Sequence, residues 1–196
     1  LVFAYSFAGL NGSNGFELTS FFRDSRLGSS VAVVGDVNGD GLMDLLSGAP
    51  WYNNGVDQYG SANLLGGRTA WSGLMITRDE FEAGRGIRSI GTANDDRFGT
   101  SVAGGDFNGD GYADMVIGSP GFDGSASDAG AAYVIFGSAT AISNYVDTRS
   151  LNGTNGVRID GAPGVKAGYS VSSARDVNGD GFDDLIIGTD PAVGSG

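Results

Sequence analysis

The chain has 196 residues, 23 acids against 11 bases and a net charge of −12, a balance that repels phosphate backbones and anionic lipid and argues against nucleic-acid binding. It holds no cysteine and no histidine, so it cannot carry a disulfide framework, a thiolate zinc site, an HExxH centre or a Ser-His-Asp or Cys-His nucleophile. Glycine supplies 36 residues, about 18%, without a Gly-X-Y period, while 40% hydrophobic content is too much for a disordered tail, so neither collagen nor disorder fits.

The chain opens Leu1-Val2-Phe3 with no Met and no basic n-region. No signal peptide is expected, and the chain reads as a piece cut from something longer. A first short run, Gly15-Phe16-Glu17-Leu18, predicts a strand, and Gly28-Ser29-Ser30-Val31-Ala32 predicts a second. The acidic turn Asp36-Val37-Asn38-Gly39-Asp40-Gly41-Leu42-Met43-Asp44 follows, then the runs Leu45 to Pro50 and Gly60 to Gly67. Asp79 to Ala83 is the one helical-looking stretch. The series then returns: Gly86 to Ser89, Gly99 to Ala103, Asp106 to Asp114, Met115 to Pro120 and Gly130 to Gly137. It begins a third time with Gly156 to Ile159, Gly168 to Ser172, Asp176 to Asp184 and Leu185 to Thr189. No apolar run approaches the ~18 residues that a membrane span needs.

Asp36, Asp106 and Asp176 stand 70 residues apart, so the chain holds 2.8 periods. Each period carries four apolar or β-branched runs of 4–6 residues bounded by Gly, Asn, Asp and Pro, which read as strands rather than helices. We label them A before the acidic turn, B after it, then C and D. Four antiparallel strands in tandem repetition make an all-β propeller blade, and fewer than three blades cannot close a ring, since propellers have about 4–8. The chain is therefore expected to be one propeller fragment, 1–196, with units at about 15–85, 86–155 and 156–196. Further blades would come from a longer chain or from self-association.

The pattern Asp-x-Asn-x-Asp-Gly-x-x-Asp, with Phe98-Gly99 upstream and Gly48-Ala49-Pro50 downstream, resembles the FG-GAP repeat of integrin α subunits and related bacterial surface proteins. The motif softens to Leu27-Gly28 and Ala167-Gly168 on one side and to Gly118-Ser119-Pro120 and Gly188-Thr189-Asp190-Pro191 on the other. The resemblance implies a seven-bladed propeller with calcium in the A–B turns and an adhesive, extracellular role. Calcium takes 6–8 oxygen ligands. The turns offer Asp36, Asn38, Asp40, the Leu42 carbonyl and Asp44; Asp106, Asn108, Asp110, the Tyr112 carbonyl and Asp114; and Asp176, Asn178, Asp180, the Phe182 carbonyl and Asp184. Three carboxylates in one turn repel each other unless a cation sits among them. An EF-hand is excluded because its twelfth position, a bidentate Glu, is Ser47, Ile117 and Ile187 here and no helices flank the loop. A solvated Asn-Gly or Asp-Gly hairpin explains a single such turn, but poorly explains three copies.

Other signals are weaker. Asn11-Gly12-Ser13 and Asn152-Gly153-Thr154 are glycosylation sequons or plain turns, Gly84-Arg85-Gly86 opens no phosphate-binding helix, and Asp95-Asp96 and Asp123 to Asp128 read as solvated loop acids. Trp51, Tyr52 and Tyr59 sit in a B–C loop and are expected to bind a partner, with Trp51 and Tyr52 as the main anchors; the alternative is packing between blades. The reading is a non-catalytic, calcium-binding module of the cell surface or extracellular space. Three Ca²⁺ are expected, with a protein or glycan ligand on the face opposite the calcium turns. The alternatives are a scaffold for a secreted hydrolase of the phospholipase D type and a sugar-binding lectin propeller.

Overall fold

The computed structural model describes residues 10–20, 22, 24–53, 55–71, 73–124, 126–139 and 144–190. Leu1 to Phe3 and Pro191 lie outside them. The order is β1 (Glu17–Thr19), β2 (Ser30–Gly35), β3 (Asp44–Ala49), β4 (Ser61–Leu65), β5 (Leu74–Ile76), α1 (Thr77–Glu82), β6 (Gly86–Ile90), β7 (Ser101–Gly105), β8 (Asp114–Ser119), β9 (Ala131–Ile135), β10 (Tyr145–Asp147), β11 (Gly156–Asp160), β12 (Ser170–Arg175) and β13 (Asp184–Gly188). The expected all-β repeat is present. β2, β3, β4 and β6 make one antiparallel four-stranded sheet, β7, β8, β9 and β11 a second, and β12 and β13 pair as the start of a third.

Each complete sheet takes its D strand from the start of the next sequence unit: β6 pairs with β4, and β11 with β9. One feature was not expected. β10 adds to the outer edge of β6 in parallel, Tyr145 beside Arg88, and β5 adds to β1 the same way, Leu74 beside Glu17. The connection between strands C and D thus reaches back and covers the D-strand edge of the preceding sheet, an edge that would otherwise offer unpaired N–H and C=O groups. The helix predicted at Asp79 to Ala83 forms as α1, with two acids in its first turn, where they favour the helix dipole.

Sheets pack face to face. Between the first and second, Val34, Val37, Leu46, Leu64, Ile87, Phe98, Val102, Met115, Ile117, Tyr133 and Ile135 close one core. Ala103, Val116 and Val134 begin another toward the third sheet. The central strands β4, β8 and β9 are buried along their whole length, which is why they read as unbroken runs of apolar and small residues. Glycine at 48 and 118 is required by close approach: a Cβ there would overlap the carbonyl of Gly99 or Gly168 in the next sheet. Those same carbonyls accept from the hydroxyls of Ser30 at 3.0 Å and Ser101 at 2.9 Å, so each inter-sheet seam is both packed and hydrogen-bonded.

Candidate functional site

The three acidic turns join strands A and B at one rim. They share one backbone geometry, with positive φ at the two glycines of each: 76° and 84° at Gly39 and Gly41, 73° and 88° at Gly109 and Gly111, and 80° and 93° at Gly179 and Gly181. Such angles carry little cost only for glycine. In the first turn, Asp36 Oδ1 accepts from Gly39 N at 2.7 Å and Asp40 N at 3.1 Å, and Oδ2 accepts from Gly41 N at 2.7 Å. Asn38 Oδ1 accepts from Asp40 N, and Asp40 Oδ1 accepts from Leu42 N. The second and third turns repeat these bonds through Asp106, Asn108 and Asp110 and through Asp176, Asn178 and Asp180.

The last acid of each turn opens strand B and reaches inward. Asp44 and Asp114 are fully buried. Asp44 accepts from Val37 N at 2.9 Å and from Gly67 N at 2.7 Å; Asp114 accepts from Phe107 N and Gly137 N, both at 2.9 Å. Gly67 and Gly137 follow strand C, so this carboxylate ties the A–B turn to the C–D connection. Burial raises both acids above the ordinary carboxylate range, Asp114 to about 6. The N–H groups oppose the rise, while Asp40 and Asp36, or Asp110 and Asp106, add like-charge repulsion to it. Consecutive turns are also linked, because Ala113 N donates to the Asp36 carbonyl at 2.9 Å and Asp183 N to the Asp106 carbonyl at 3.0 Å.

Among the described residues, no three acidic side chains are gathered around a common point close enough to hold an ion. The outer carboxylates accept hydrogen bonds from N–H groups of their own turn. The donor set still suits calcium: three carboxylates, one amide oxygen and backbone carbonyls, all hard oxygens within nine residues. Binding would exchange N–H partners for the ion at Asp36 and Asp40, both surface groups, and leave the inner Asp44 as the fixed member.

At the opposite rim, the B–C loops and the D-to-A connections run together. Asp95 N donates to the Gln58 carbonyl, Phe98 N to Tyr59 and Lys166 N to Asp128. Trp51 is half-buried there, with the Arg26 guanidinium 4.4 Å and that of Arg97 5.8 Å from its ring. Tyr52 is only 7% exposed, set edge-on to Phe22 at 4.9 Å and beneath Arg88 at 5.4 Å. Tyr52, expected as a partner anchor, is thus enclosed by these neighbours, whereas Trp51 is half-buried. Tyr59 is half-buried, and its hydroxyl donates to Asp57 at 2.9 Å. Asp96 closes a turn by accepting from Thr92 N, Thr92 Oγ1 and Ala93 N, and burial raises it too.

Sequence reasoning passed over the Gly67 and Gly137 donors, which lie outside the acidic motif. It also passed over a basic residue placed just before Leu27-Gly28, Phe98-Gly99 and Ala167-Gly168. That residue is Arg26, Arg97 and Lys166, with φ of 53°, 52° and 51°. Its recurrence at the repeat spacing was the available signal.

Tandem antiparallel sheets that pack face to face and each begin with the same acidic A–B turn define a β-propeller repeat protein. The family model described as FG-GAP repeat matches residues 27–62, 98–135 and 167–196, and the chain belongs to that family. It is 35% identical over 170 residues to Integrin alpha pat-2 of Caenorhabditis elegans, covering 82% of this chain and 13% of that protein. It is 32% identical over 182 residues to human Integrin alpha-7, covering 90% and 13%. To Integrin alpha-PS2 of Drosophila melanogaster it is 32% identical over 194 residues, covering 91% and 12%. The chain thus spans about 13% of the length of these relatives. Among the described residues, no helix is long and apolar enough to cross a membrane.

Proposed function

We infer that the chain is a non-catalytic, calcium-stabilised recognition module of the extracellular or cell-surface kind. Three Ca²⁺ bind, one in each of the turns Asp36 to Asp44, Asp106 to Asp114 and Asp176 to Asp184. The observation that carries this is the threefold recurrence of one all-oxygen turn with one hydrogen-bond plan. The similarity to integrin α subunits supports the adhesive part of the reading. The ion links strand A to strand B and, through Asp44 and Asp114, to the end of strand C. Three ions bring the net charge from −12 to −6 and so relieve self-repulsion.

The partner, a protein or a glycan, meets the rim opposite the calcium turns, where Trp51 and Tyr59 stand on loops that differ between units while the turns hardly differ. Recognition usually resides in variable loops carried on a rigid frame. Isothermal titration of the chelated protein with Ca²⁺ tests the metal reading. Three sites with affinity of roughly 10⁻⁴–10⁻³ M are expected. Fewer than two sites, or a preference for Mg²⁺, would overturn it.

A further inference from the structure

The two inter-sheet seams differ at one point on the rim opposite the calcium turns. At the first seam the Trp51 indole lies between Arg26 and Arg97. At the second, the corresponding cations are Arg97 and Lys166, and the residue in Trp51's place, next after Pro120, is Gly121. One backbone bond recurs, Trp51 N donating to Ser25 O at 3.2 Å and Gly121 N to Asp96 O at 3.1 Å, but at the second seam the Asp95 carbonyl stands where a Cβ on residue 121 would be. The missing indole leaves a cavity of about 240 Å³ lined by Arg97, Gly121, Lys166 and Tyr169. That falls short of the ~300–1,000 Å³ of a drug-sized ligand site and suits a single side chain.

The geometry points to this cavity as an acceptor slot for one aromatic side chain, Trp or Tyr, of a protein partner, held between Arg97 and Lys166 as Trp51 is held between Arg26 and Arg97. Three further observations select a ring. First, the lining carries Asp95, Asp123, Asp128 and Asp190 against two bases, with Lys166 Nζ already 3.5 Å from Asp128 Oδ1, so its charge is negative and a carboxylate is repelled. A ring presents an electron-rich face to cations on either side without bringing a charge of its own. Second, Tyr169 is 49% exposed beside the slot, which offers an aromatic partner for an edge or offset contact. Third, both flanking cations sit on left-handed turns, and the one at Arg97 is secured by Thr100 Oγ1 donating to its carbonyl at 2.7 Å, as Ser29 Oγ does at Arg26. Backbone in this region costs of order 1–3 kcal/mol for a non-glycine residue and persists where its surroundings fix it. The walls are therefore set before a ligand arrives. Gly121 cannot fill the slot from within, because a Cβ there would overlap the Asp95 carbonyl.

The inference deepens the recognition reading and rests on its choice of rim; the calcium reading is independent of it. The test is a ¹H–¹⁵N NMR titration of the calcium-loaded chain with N-acetyltryptophanamide. Saturable shifts are expected at the Arg97, Gly121 and Lys166 amides. Arg97→Ser or Lys166→Ser should weaken binding roughly two- to thirtyfold, the range of one cation–π contact, and the same spectra report whether each variant is folded. Trp51→Gly should open a second slot and raise the stoichiometry from one to two. No saturable shift, equal shifts with N-acetylleucinamide, tighter binding of N-acetyllysinamide, or binding unchanged in the folded Lys166→Ser variant would each overturn the slot, with calcium uptake intact. A slot that fills normally, in a protein whose partner still binds after Trp51 and Tyr59 are replaced, would instead overturn the choice of rim.

Discussion

The second and third acidic turns have nearly the same sequence and the same bonds from backbone N–H groups to their first three polar side chains, yet they live in different surroundings. Asp114 is fully buried and takes Gly137 N from the end of strand C, whereas Asp184 is only half-buried and takes Asn178 Nδ2 at 3.1 Å in that place. The apolar residue after the first acid is half-buried at Phe107 but 72% exposed at Val177. In strand B, Leu46 and Val116 are 1% and 0% exposed while their counterpart Ile186 is 55% exposed. Turn geometry is therefore local, written in nine residues, and burial is supplied by the neighbouring sheet. In a tandem array each unit owes much of its stability to the interface with the next.

If calcium ties these turns to their sheets, its removal is the largest perturbation open to experiment. Each ion bound only to the native state adds about 1.4 kcal/mol at ten times its Kd, so three add about 4 kcal/mol. For a domain of this size that is a Tm change of roughly 8–16 °C. Scanning calorimetry with and without EDTA measures it, and an unchanged Tm would remove any structural role for the ion. Asp110→Ala should lose one site and about a third of the shift.

A more pointed comparison sets Asp114→Ala beside Asp184→Ala in calcium. Both abolish a site. The first also strands the N–H groups of Phe107 and Gly137 in a buried setting, each worth ~1–3 kcal/mol, while at Asp184 water can replace the lost acceptor. Urea denaturation should show Asp114→Ala to be the costlier by about 2–3 kcal/mol. Equal losses would mean that the neighbouring sheet adds nothing to the turn. The apolar version is smaller: Val116→Ala should cost about 2 kcal/mol, because it removes fully buried methyls, and Ile186→Ala less than about 0.5 kcal/mol, as for other exposed positions.

The contrast also shows what the sequence made legible. Strands A to D and the acidic turns could be read because period, composition and punctuation all recur every 70 residues. Helix α1 could be placed from a single acidic stretch. The parallel strands β5 and β10 could not, since Leu74–Ile76 and Tyr145–Asp147 are three residues long and share no pattern; they form because a D-strand edge is there to receive them. The burial of Tyr52, expected as a partner anchor, was not legible for a related reason. Its partners, Phe22 and Arg88, lie 30 and 36 residues away, and no local pattern places them beside it. Gly67 and Gly137 were invisible as donors because their contribution is a backbone N–H, which every residue but proline possesses.

The smallest effect separates the buried acids from calcium by pH. Burial lifts Asp114 to about 6 and raises Asp44 and Asp96 in the same direction, while an unfolded chain returns them to about 3.9. Between these values the native state holds a proton on Asp114 that the unfolded state does not, so its contribution is fully present below about 3.9 and is lost as pH rises through 6, and Asp44 and Asp96 act in the same direction. The chelated protein should therefore become more stable on acidification from pH 7 to 5, by about 1 kcal/mol for Asp114 alone. Asp176 works in the opposite sense. The N–H groups of Gly181, Gly179 and Asp180 hold its carboxylate below the ordinary range, so what it contributes is lost only as pH falls below about 3.9, outside this window. In saturating calcium the gain from pH 7 to 5 should flatten, because the bound ion holds Asp114 without its proton and the unfolded chain takes up few protons above pH 5. Urea midpoints at pH 7, 6 and 5 should rise on acidification in EDTA and stay nearly flat in calcium. Parallel lines would show that the buried carboxylate and the ion do not share a site.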